Sequence, residues 1–289
     1  MSARIQRTMK TSKPLIALSL CTFALGGVAC GSSEPVAFSI PFSAVVGDQA
    51  FACGTDYDGV GKDGATITPG DLRFYVHDVT VVDEDGNDVA VTLDTSDAQL
   101  AGAVLLDFED GTGACDTGSP GVNTAITGTI PGDVVVSAVR FTIGLPDELN
   151  HLDATTAEAP LNIPSLFWTW ASGYIFMKVE AVNDADDVAY FHHGSTGCDG
   201  TPAEGFSCAY KNLAPIELPF TKDDQVVLDL EPIFAGVDVE AELAEDNRLR
   251  GCMSFSGDAD CVSMFGAIGI TYEENGGSPK QSAFSTSPR

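Results

Sequence analysis

The sequence predicts an all-β protein, an antiparallel β-sandwich with little helix. Aspartate outnumbers glutamate 28 to 14, and the chain has 30 glycines and 15 prolines, a balance that favours turns over helix interiors. Short apolar runs recur along the chain, separated by turn signals such as Asp85-Gly86, Asp110-Gly111 and Pro131-Gly132-Asp133. Many short strands at this spacing are typical of sandwiches and barrel-like sheet pairs, which often form one large domain.

The predicted strands share a high content of Val, Ile, Phe and Tyr, side chains that suit a pleated, half-buried surface. In chain order they are Val36–Phe42, Leu72–Val82, Val89–Leu93, Val104–Phe108, Val134–Ile143, Tyr174–Val182, Val188–His193 and Val226–Leu230. We therefore predict a single sandwich domain over residues 36–274. Residues 275–289 are rich in Ser, Gly and Pro, and we expect them to form a flexible tail.

The N-terminus has the pattern of an export signal. Basic residues precede an apolar run from Leu15 to Ala29, and no acid occurs before Glu34. The basic residues are Arg4, Arg7, Lys10 and Lys13. A membrane-spanning helix needs roughly 20 apolar residues, so the shorter run indicates a secretory signal peptide over residues 1–29.

The segment Leu25-Gly-Gly-Val-Ala-Cys30 resembles a bacterial lipoprotein cleavage box, which predicts lipidation of Cys30 and a tether over residues 30–35. Gly27 stands where such boxes usually have Leu, so plain cleavage nearby is the alternative. Either outcome predicts a location in the cell envelope, in the periplasm or as an outer-membrane lipoprotein.

The chain is strongly acidic, with a formal charge of −28. Residues 1–29 carry four positive charges and no acid, so their removal leaves −32 on the mature chain. Such a charge repels nucleic acid and anionic lipid head groups, which leaves the lipid anchor as the expected contact with a membrane. A hydrophobic fraction of 44% argues against disorder.

Six cysteines remain once Cys21 and Cys30 are set aside, and an even number in an exported chain indicates disulfides. They are Cys53, Cys115, Cys198, Cys208, Cys252 and Cys261. Many connectivities are possible, but the close spacings favour local loops between Cys198 and Cys208 and between Cys252 and Cys261, which leaves Cys53 with Cys115. The sequence contains neither a Cys-x-x-Cys pair for zinc nor a Cys-x-x-Cys-His haem attachment.

The four histidines are candidate metal ligands, because imidazole suits copper or zinc. His77 lies in one predicted strand, and the adjacent His192 and His193 in another must point to opposite faces, so that only one of the two can easily join His77. His151 falls in a loop. The alternative is that each is simply a hydrogen-bonded strand or loop histidine.

Both tryptophans lie close together, at Trp168 and Trp170, on one face of an extended segment. Taken alone, such a pair is ordinarily a hydrophobic plug beneath a sandwich.

The acidic runs Asp56–Asp63 and Asp83–Asp88 superficially resemble calcium loops, but they lack the spaced acids and terminal Glu of an EF-hand. Solvated turns are the simpler interpretation. The sequence also lacks the Gly-x-Ser-x-Gly, His-Glu-x-x-His and phosphate-binding glycine motifs of common enzymes.

A set of uncommon strings, in order, resembles the MbnP family, the four-Cys-motif proteins of the metallo-mystery pair system. The strings are Phe74-Tyr-Val-His77-Asp-Val79, Leu105-Leu-Asp-Phe-Glu109, Leu149-Asn-His151, Phe167-Trp-Thr-Trp170 with Gly173-Tyr174, Phe191-His192 with Gly194-Ser-Thr-Gly-Cys198, and Gly251-Cys-Met-Ser254. The resemblance extends from about Phe38 to Ile270, most of the mature chain.

The resemblance implies an exported copper-binding β-protein, not an enzyme, in which a tryptophan is oxidised to kynurenine by a separate di-haem enzyme of the MauG and cytochrome c peroxidase type. It places the family's histidine strings on His77, His151 and His192, as copper ligands, and the modified tryptophan on Trp168 or Trp170. Two further donors are possible.

His193 stands where the family more often has Leu, and Met253 offers a thioether suited to Cu(I), although a methionine there is more often packing. The alternative function is an acidic cell-surface module for calcium binding or adhesion, without copper.

Overall fold

Two packed β-sheets form the framework of the protein, as seen in a computed structural model. The structure describes residues 33–100, 102–115, 121–169, 171–240, 250–274 and 279–289. The predicted signal peptide, Cys30 and Trp170 therefore lie outside the described residues.

The smaller of the two sheets has the strand order β20-β18-β1-β9-β6, with β2 paired to β1. Its strands are β1 (Pro35–Val46), β2 (Gln49–Ala50), β6 (Thr92–Leu93), β9 (Ala125–Pro131), β18 (Asp224–Asp229) and β20 (Phe284–Pro288). The pairing of β1 with β18 is parallel, and the other pairings in this sheet are antiparallel.

The larger sheet has the order β17-β10-β4-β13-β14-β19, with β3, β5 and β8 also paired to β4 and β7 paired to β8. Its strands are β3 (Tyr57–Val60), β4 (Ala65–Asp83), β5 (Asp88–Ala90), β7 (Gln99–Leu100), β8 (Ala103–Asp107), β10 (Val136–Ile143), β13 (Met177–Asn183), β14 (Val188–His193), β17 (Ala214–Pro219) and β19 (Arg250–Cys252). Here β14 and β19 are parallel.

Two separate hairpin pairs and little helix complete the fold. The pairs are β11 (Phe167–Thr169) with β12 (Gly173–Tyr174), and β15 (Thr196–Thr201) with β16 (Gly205–Tyr210). The helices are α1 (Asp147–Asn150), α2 (Glu231–Phe234) and α3 (Cys261–Ala267), with a 3-10 turn at Pro164–Leu166. The predicted all-β sandwich with little helix is confirmed.

The long central strand β4 is covered on both faces. Phe74 and Val76 belong to the large apolar core shared by the two sheets, whereas Tyr75 belongs to a second apolar cluster. Successive strand residues point to opposite faces, so the second cluster covers the outer face of the larger sheet. The loop that contains Leu161 and Leu166 packs there, and it brings the His151 and Trp168 segments over this face.

Three disulfides connect the loops. They join Cys53 to Cys115, Cys198 to Cys208, and Cys252 to Cys261, which is the pairing that the close spacings favoured. The second links directly opposite residues of β15 and β16, and the third joins β19 to the start of α3.

The predicted flexible tail is wrong for the end of the chain. Phe284–Pro288 forms β20, which pairs with β18 and closes one edge of the smaller sheet. The buried Phe284 ring contacts Phe74 and Phe141, with centroid distances of 6.0 and 5.9 Å. One aromatic anchor therefore orders a segment whose composition is typical of a tail.

No helix in the described part of the chain is long and apolar enough to cross a membrane.

Candidate metal centre

The adjacent histidines of β14 point to opposite faces of the larger sheet, as strand alternation predicts. His193 faces the core and is fully buried, whereas His192 lies on the outer face, beside Lys178 and Glu180 of β13. Only His192 therefore shares the face on which the second cluster and the Trp168 segment lie.

The His193 ring is enclosed by Phe176, Phe191 and Phe265, with centroid distances of 5.6, 5.8 and 5.1 Å. Its Nε2 lies 2.6 Å from the Asn212 carbonyl oxygen, which can only accept, so Nε2 carries the proton. Burial lowers the pKa of His193 to about 4, although the hydrogen bond to Asn212 opposes this change. His193 is thus a neutral core histidine, which does not favour its predicted use as an extra metal donor.

His192 has the hydrogen-bond pattern of a metal-ligating imidazole. Its Nε2 lies 2.8 Å from Glu180 Oε1, and its Nδ1 is buried with no hydrogen-bond partner. Histidines that bind metals commonly donate the other ring N–H to a carboxylate. The lone pair of Nδ1 is therefore available.

His77 is oriented at the end of a regular stretch of β4. Its Nδ1 lies 2.9 Å from the Gly144 carbonyl oxygen, so Nδ1 carries the proton, and the buried Nε2 lies 3.6 Å from the exposed Asp78 carboxylate. The next residue, Asp78, has a positive φ of 51°, and the pairing with β10 shifts register there. Such bulges re-aim side chains beside functional sites.

His151 lies at the end of α1, half-buried, and stacks on Phe206 at 4.7 Å. Its Nε2 is 3.5 Å from Cys208 Sγ. The neighbouring Asn150 accepts the Tyr174 N–H at 2.9 Å and donates to Ser195 Oγ at 3.2 Å. The His151 loop is thereby attached to the segment that directly follows His192 and His193.

Trp168 packs on the same segment. A Cβ added to Gly194 would lie 2.6 Å from Trp168 Cζ3 and 2.9 Å from Cη2, so the indole rests directly on the Gly194 backbone. Only glycine permits this approach. Trp168 therefore contacts a residue that follows His192 by two positions in the chain. The other predicted tryptophan, Trp170, lies outside the described residues.

Two residues with left-handed backbone hold this segment in place. Ser254, with φ of 57°, accepts the Gly194 N–H through Oγ at 3.1 Å and donates to the His192 carbonyl at 2.9 Å. Asn212, with φ of 54°, donates to the Gly194 carbonyl at 2.7 Å. Left-handed residues other than glycine are uncommon and cluster at functional sites. We call Trp168, His192, Gly194, Asn212 and Ser254 the Gly194 junction.

Met253 precedes Ser254 and is half-buried beside the Cys252–Cys261 disulfide. Its position next to a residue of the Gly194 junction keeps it a candidate donor of a thioether.

A buried chain of ion pairs extends from His192 across the sheet. Lys178 Nζ lies 3.0 Å from Glu180 Oε1 and 2.5 Å from Asp71 Oδ2, and Arg73 contacts Asp71 through Nε at 2.9 Å and Nη2 at 2.5 Å. Burial alone would raise the pKa of Glu180, but the hydrogen bond from His192 and the charge of Lys178 hold it below its usual value. Glu180 is therefore an ionised acceptor.

At the Arg73 end of this series of ion pairs, two carboxyl groups have raised pKa values. Glu109 is fully buried near Asp71 and Arg73, and burial together with the Asp71 charge raises its pKa to about 8. Burial raises the pKa of Asp107 to about 6. Glu109 therefore holds a proton more tightly than a free carboxyl group does, although Arg73 Nε lies 3.2 Å from its Oε2.

The predicted copper ligands His77, His151 and His192 do not form a compact cluster. Within the described ranges, the groups of three or more His, Cys or carboxylate donors within 4.8 Å are His151 with Cys198 and Cys208, and Asp258 with Cys252 and Cys261. The cysteines of both groups are disulfide-bonded and offer no thiolate. The imidazoles of His77 and His192 nevertheless suit copper, and each has one ring nitrogen within hydrogen-bond distance of an oxygen acceptor.

The MbnP family model matches residues 35–254, which is most of the chain. The chain belongs to the MbnP family. The solved structure of MbnP from Methylosinus trichosporium is 27% identical to this MbnP-family chain, with a TM-score of 0.77, and the match covers 88% of this chain and 99% of that chain. No curated protein sequence matches this MbnP-family chain.

Sequence reasoning assigned no role to Glu180, Asn150, Asn212 or Ser254. Each acts through a contact between segments far apart in the chain, for which the sequence carries no local signal. Glu180 is the exception, because its contact lies between two strands that are neighbours in the chain. The register of β13 and β14 places Glu180 diagonally across from His192.

Proposed function

We propose that this MbnP-family chain is an exported copper-binding protein, not an enzyme, and that a separate di-haem enzyme oxidises one of its tryptophans to kynurenine to complete the metal site. The protein is exported through residues 1–29 and anchored to the cell envelope through lipidated Cys30. His77, His151 and His192 are the proposed copper ligands.

The observation that carries this proposal is the contact of the Trp168 indole with Gly194, two residues from His192. The Nδ1 atom of His192 is buried without a hydrogen-bond partner. The contacting atoms Cζ3 and Cη2 belong to the six-membered ring, so oxidation would form the amine and the ketone at the five-membered ring and leave this contact with the His192 segment in place. We therefore propose Trp168 as the modified residue.

The chemistry of the two rings explains why oxidation matters. An indole N–H is a donor only, so it offers a metal no in-plane lone pair. Opening the five-membered ring to kynurenine creates an aryl amine and a ketone, both of which carry lone pairs. Copper bound here would be held by imidazole nitrogens together with one of these groups, with Met253 as a further soft donor.

The enzyme that performs the oxidation must be a second protein. The chain has no Cys-x-x-Cys-His haem attachment and no other cofactor motif. The charge of −32 that remains after removal of residues 1–29 suits docking to a basic face of that partner.

Peptide mass spectrometry tests the proposal directly. The protein is produced with and without a di-haem enzyme of the MauG type, and the peptide that contains Trp168 and Trp170 is compared. We expect one tryptophan to gain one oxygen and lose one carbon only in the co-produced sample. Unmodified Trp168 and Trp170 in both samples would reject the proposal.

The calcium alternative has less support. Asp83 uses Oδ1 to accept the N–H groups of Asp85 at 2.9 Å and Asn87 at 2.8 Å, which is a turn-stabilising role. In the second acidic run, Asp56 and Asp58 accept hydroxyl donors from Thr68 and Thr66 at 2.6 and 2.7 Å.

A further inference from the structure

We infer that Glu180 is the positioning residue that selects Nδ1 of His192 as the donor atom for a metal at the Gly194 junction. This inference rests on the proposed function for the metal itself. The orientation of the imidazole, however, is a property of the metal-free protein and is tested there.

His192 Nε2 lies within hydrogen-bond distance of Glu180 Oε1, at 2.8 Å. A carboxylate can only accept, so the proton of the neutral imidazole must reside on Nε2. The remaining nitrogen, Nδ1, then carries the lone pair. It is buried and lacks a hydrogen-bond partner, which is a costly arrangement in a protein interior. Nδ1 of His193 is in the same state, so it is the position of His192 on the outer face, beside Gly194 and Trp168, that makes its Nδ1 the candidate ligand atom.

Glu180 is itself held rigidly. The same Oε1 atom contacts Lys178 Nζ at 3.0 Å, and Lys178 is fixed in turn by Asp71 at 2.5 Å. Asp71 is fully buried and bound by Arg73 through two contacts. The carboxylate that orients His192 is therefore anchored across β13 and β4.

His77 provides a comparison within the same sheet. There the acceptor is a backbone carbonyl, that of Gly144, and it holds Nδ1 at 2.9 Å, which leaves Nε2 as the donor. The two histidines are thus committed to opposite tautomers by different acceptors. The Glu180 contact alone depends on a side chain, and so it can be altered by substitution.

Two substitutions at Glu180 separate positioning from packing. Glu180→Leu fills similar space but removes the acceptor, whereas Glu180→Gln keeps a carbonyl oxygen that accepts from both Lys178 and His192. If Glu180 acts by accepting the Nε2 proton, Gln retains the function and Leu loses it. Glu217→Leu is the matched control, because Glu217 lies on β17 of the same sheet and contacts Arg140 but no histidine.

The test is nitrogen NMR of the imidazoles in metal-free protein, with the His192 signals assigned from a His192→Ala spectrum. We expect His192 to be protonated at Nε2 in the unsubstituted protein, in Glu180→Gln and in Glu217→Leu. Both tautomers should be populated in Glu180→Leu. An Nδ1-protonated His192 in the unsubstituted protein, or an unchanged tautomer in Glu180→Leu, would overturn the inference.

A copper titration of the oxidised protein then separates this inference from the proposed function. Loss of such an outer partner typically weakens metal affinity on the order of 10- to 100-fold, which we expect for Glu180→Leu and not for Glu217→Leu. If the oxidised protein binds no copper, the proposed function fails while the tautomer result still decides the role of Glu180. Equal copper affinity in all variants would show that His192 is not positioned by Glu180 for a metal.

Discussion

His193 lies entirely within the apolar core, and this position predicts how acid destabilises the protein. Burial lowers the pKa of His193 from 6.5 to about 4. Between these values the unfolded chain binds a proton that the folded protein excludes. The free energy of unfolding contributed by His193 is therefore complete above pH 6.5 and is lost as pH falls towards 4.

The size of this loss of stability follows from the interval between the two pKa values, 6.5 and about 4. Each pH unit is worth about 1.4 kcal/mol, so His193 should cost the protein about 3 kcal/mol of stability between neutral pH and about pH 4. The perturbation is His193→Leu, which removes the titrating ring. It also leaves the Asn212 carbonyl without its donor, a cost of about 1–3 kcal/mol that does not depend on pH.

The assay is denaturant unfolding followed by circular dichroism at several pH values between about 7 and 4. Asp107 and Glu109, whose pKa values are raised to about 6 and about 8, make stability fall as pH rises. Both proteins contain them, so the difference between the two unfolding free energies isolates His193. On acidification from about pH 7 to about pH 4, we expect the unsubstituted protein to lose about 3 kcal/mol more free energy of unfolding than His193→Leu loses. A difference that is constant with pH would refute the burial of a neutral His193.

Three further outcomes are expected. Gly194→Ala places a Cβ 2.6 Å from the Trp168 ring. We therefore expect the free energy of unfolding to fall by about 1–3 kcal/mol and the tryptophan emission to change. Unchanged emission would exclude the contact. Replacing Cys252 and Cys261 together by serine should lower the free energy of unfolding by about 2–4 kcal/mol, and an unaltered thermal midpoint would contradict a stabilising role for that disulfide. Rising salt should slow tryptophan oxidation by the di-haem enzyme, because the mature chain carries a charge of −32, and rates independent of salt would assign that charge to solubility alone.

The strands that the sequence predicted best are those whose pattern is fully local. Val188–His193 matches β14 residue for residue, and alternation correctly placed His192 and His193 on opposite faces. Val89–Leu93 was predicted as one strand, but the chain passes between sheets there. Thus β5 pairs with β4, and β6 pairs with β9.

The strands that sequence reasoning missed depend on partners distant in the chain. Thr196–Thr201 and Gly205–Tyr210 are rich in Gly, Ser and Asp, which favours turns, yet they pair as a hairpin that the Cys198–Cys208 disulfide joins. Phe284–Pro288 has little apolar character beyond Phe284 and is ordered by pairing with β18.

The candidate site was predictable as a set of residue types but not as an arrangement. The resemblance to the MbnP family singled out His77, His151, His192 and the tryptophans Trp168 and Trp170, whereas composition alone also allowed ordinary strand and core positions for them. The contact of the indole with Gly194 and the partner of each ring nitrogen arise only when separate strands and loops pack together. Strand alternation separated His193 from His192, and the Leu that the family more often has at His193 was the one signal for its position in the core.

Copper retention is the most direct measurement of the central claim, that oxidation of a tryptophan beside the histidines creates the metal site. Four samples are dialysed after copper loading and analysed for metal: protein made with the di-haem enzyme, protein made without it, and Trp168→Phe and Trp170→Phe proteins made with it. We predict retained copper in the first sample and in Trp170→Phe, and loss of copper from the unoxidised protein and from Trp168→Phe. Equal copper retention in the oxidised and unoxidised proteins would contradict the account.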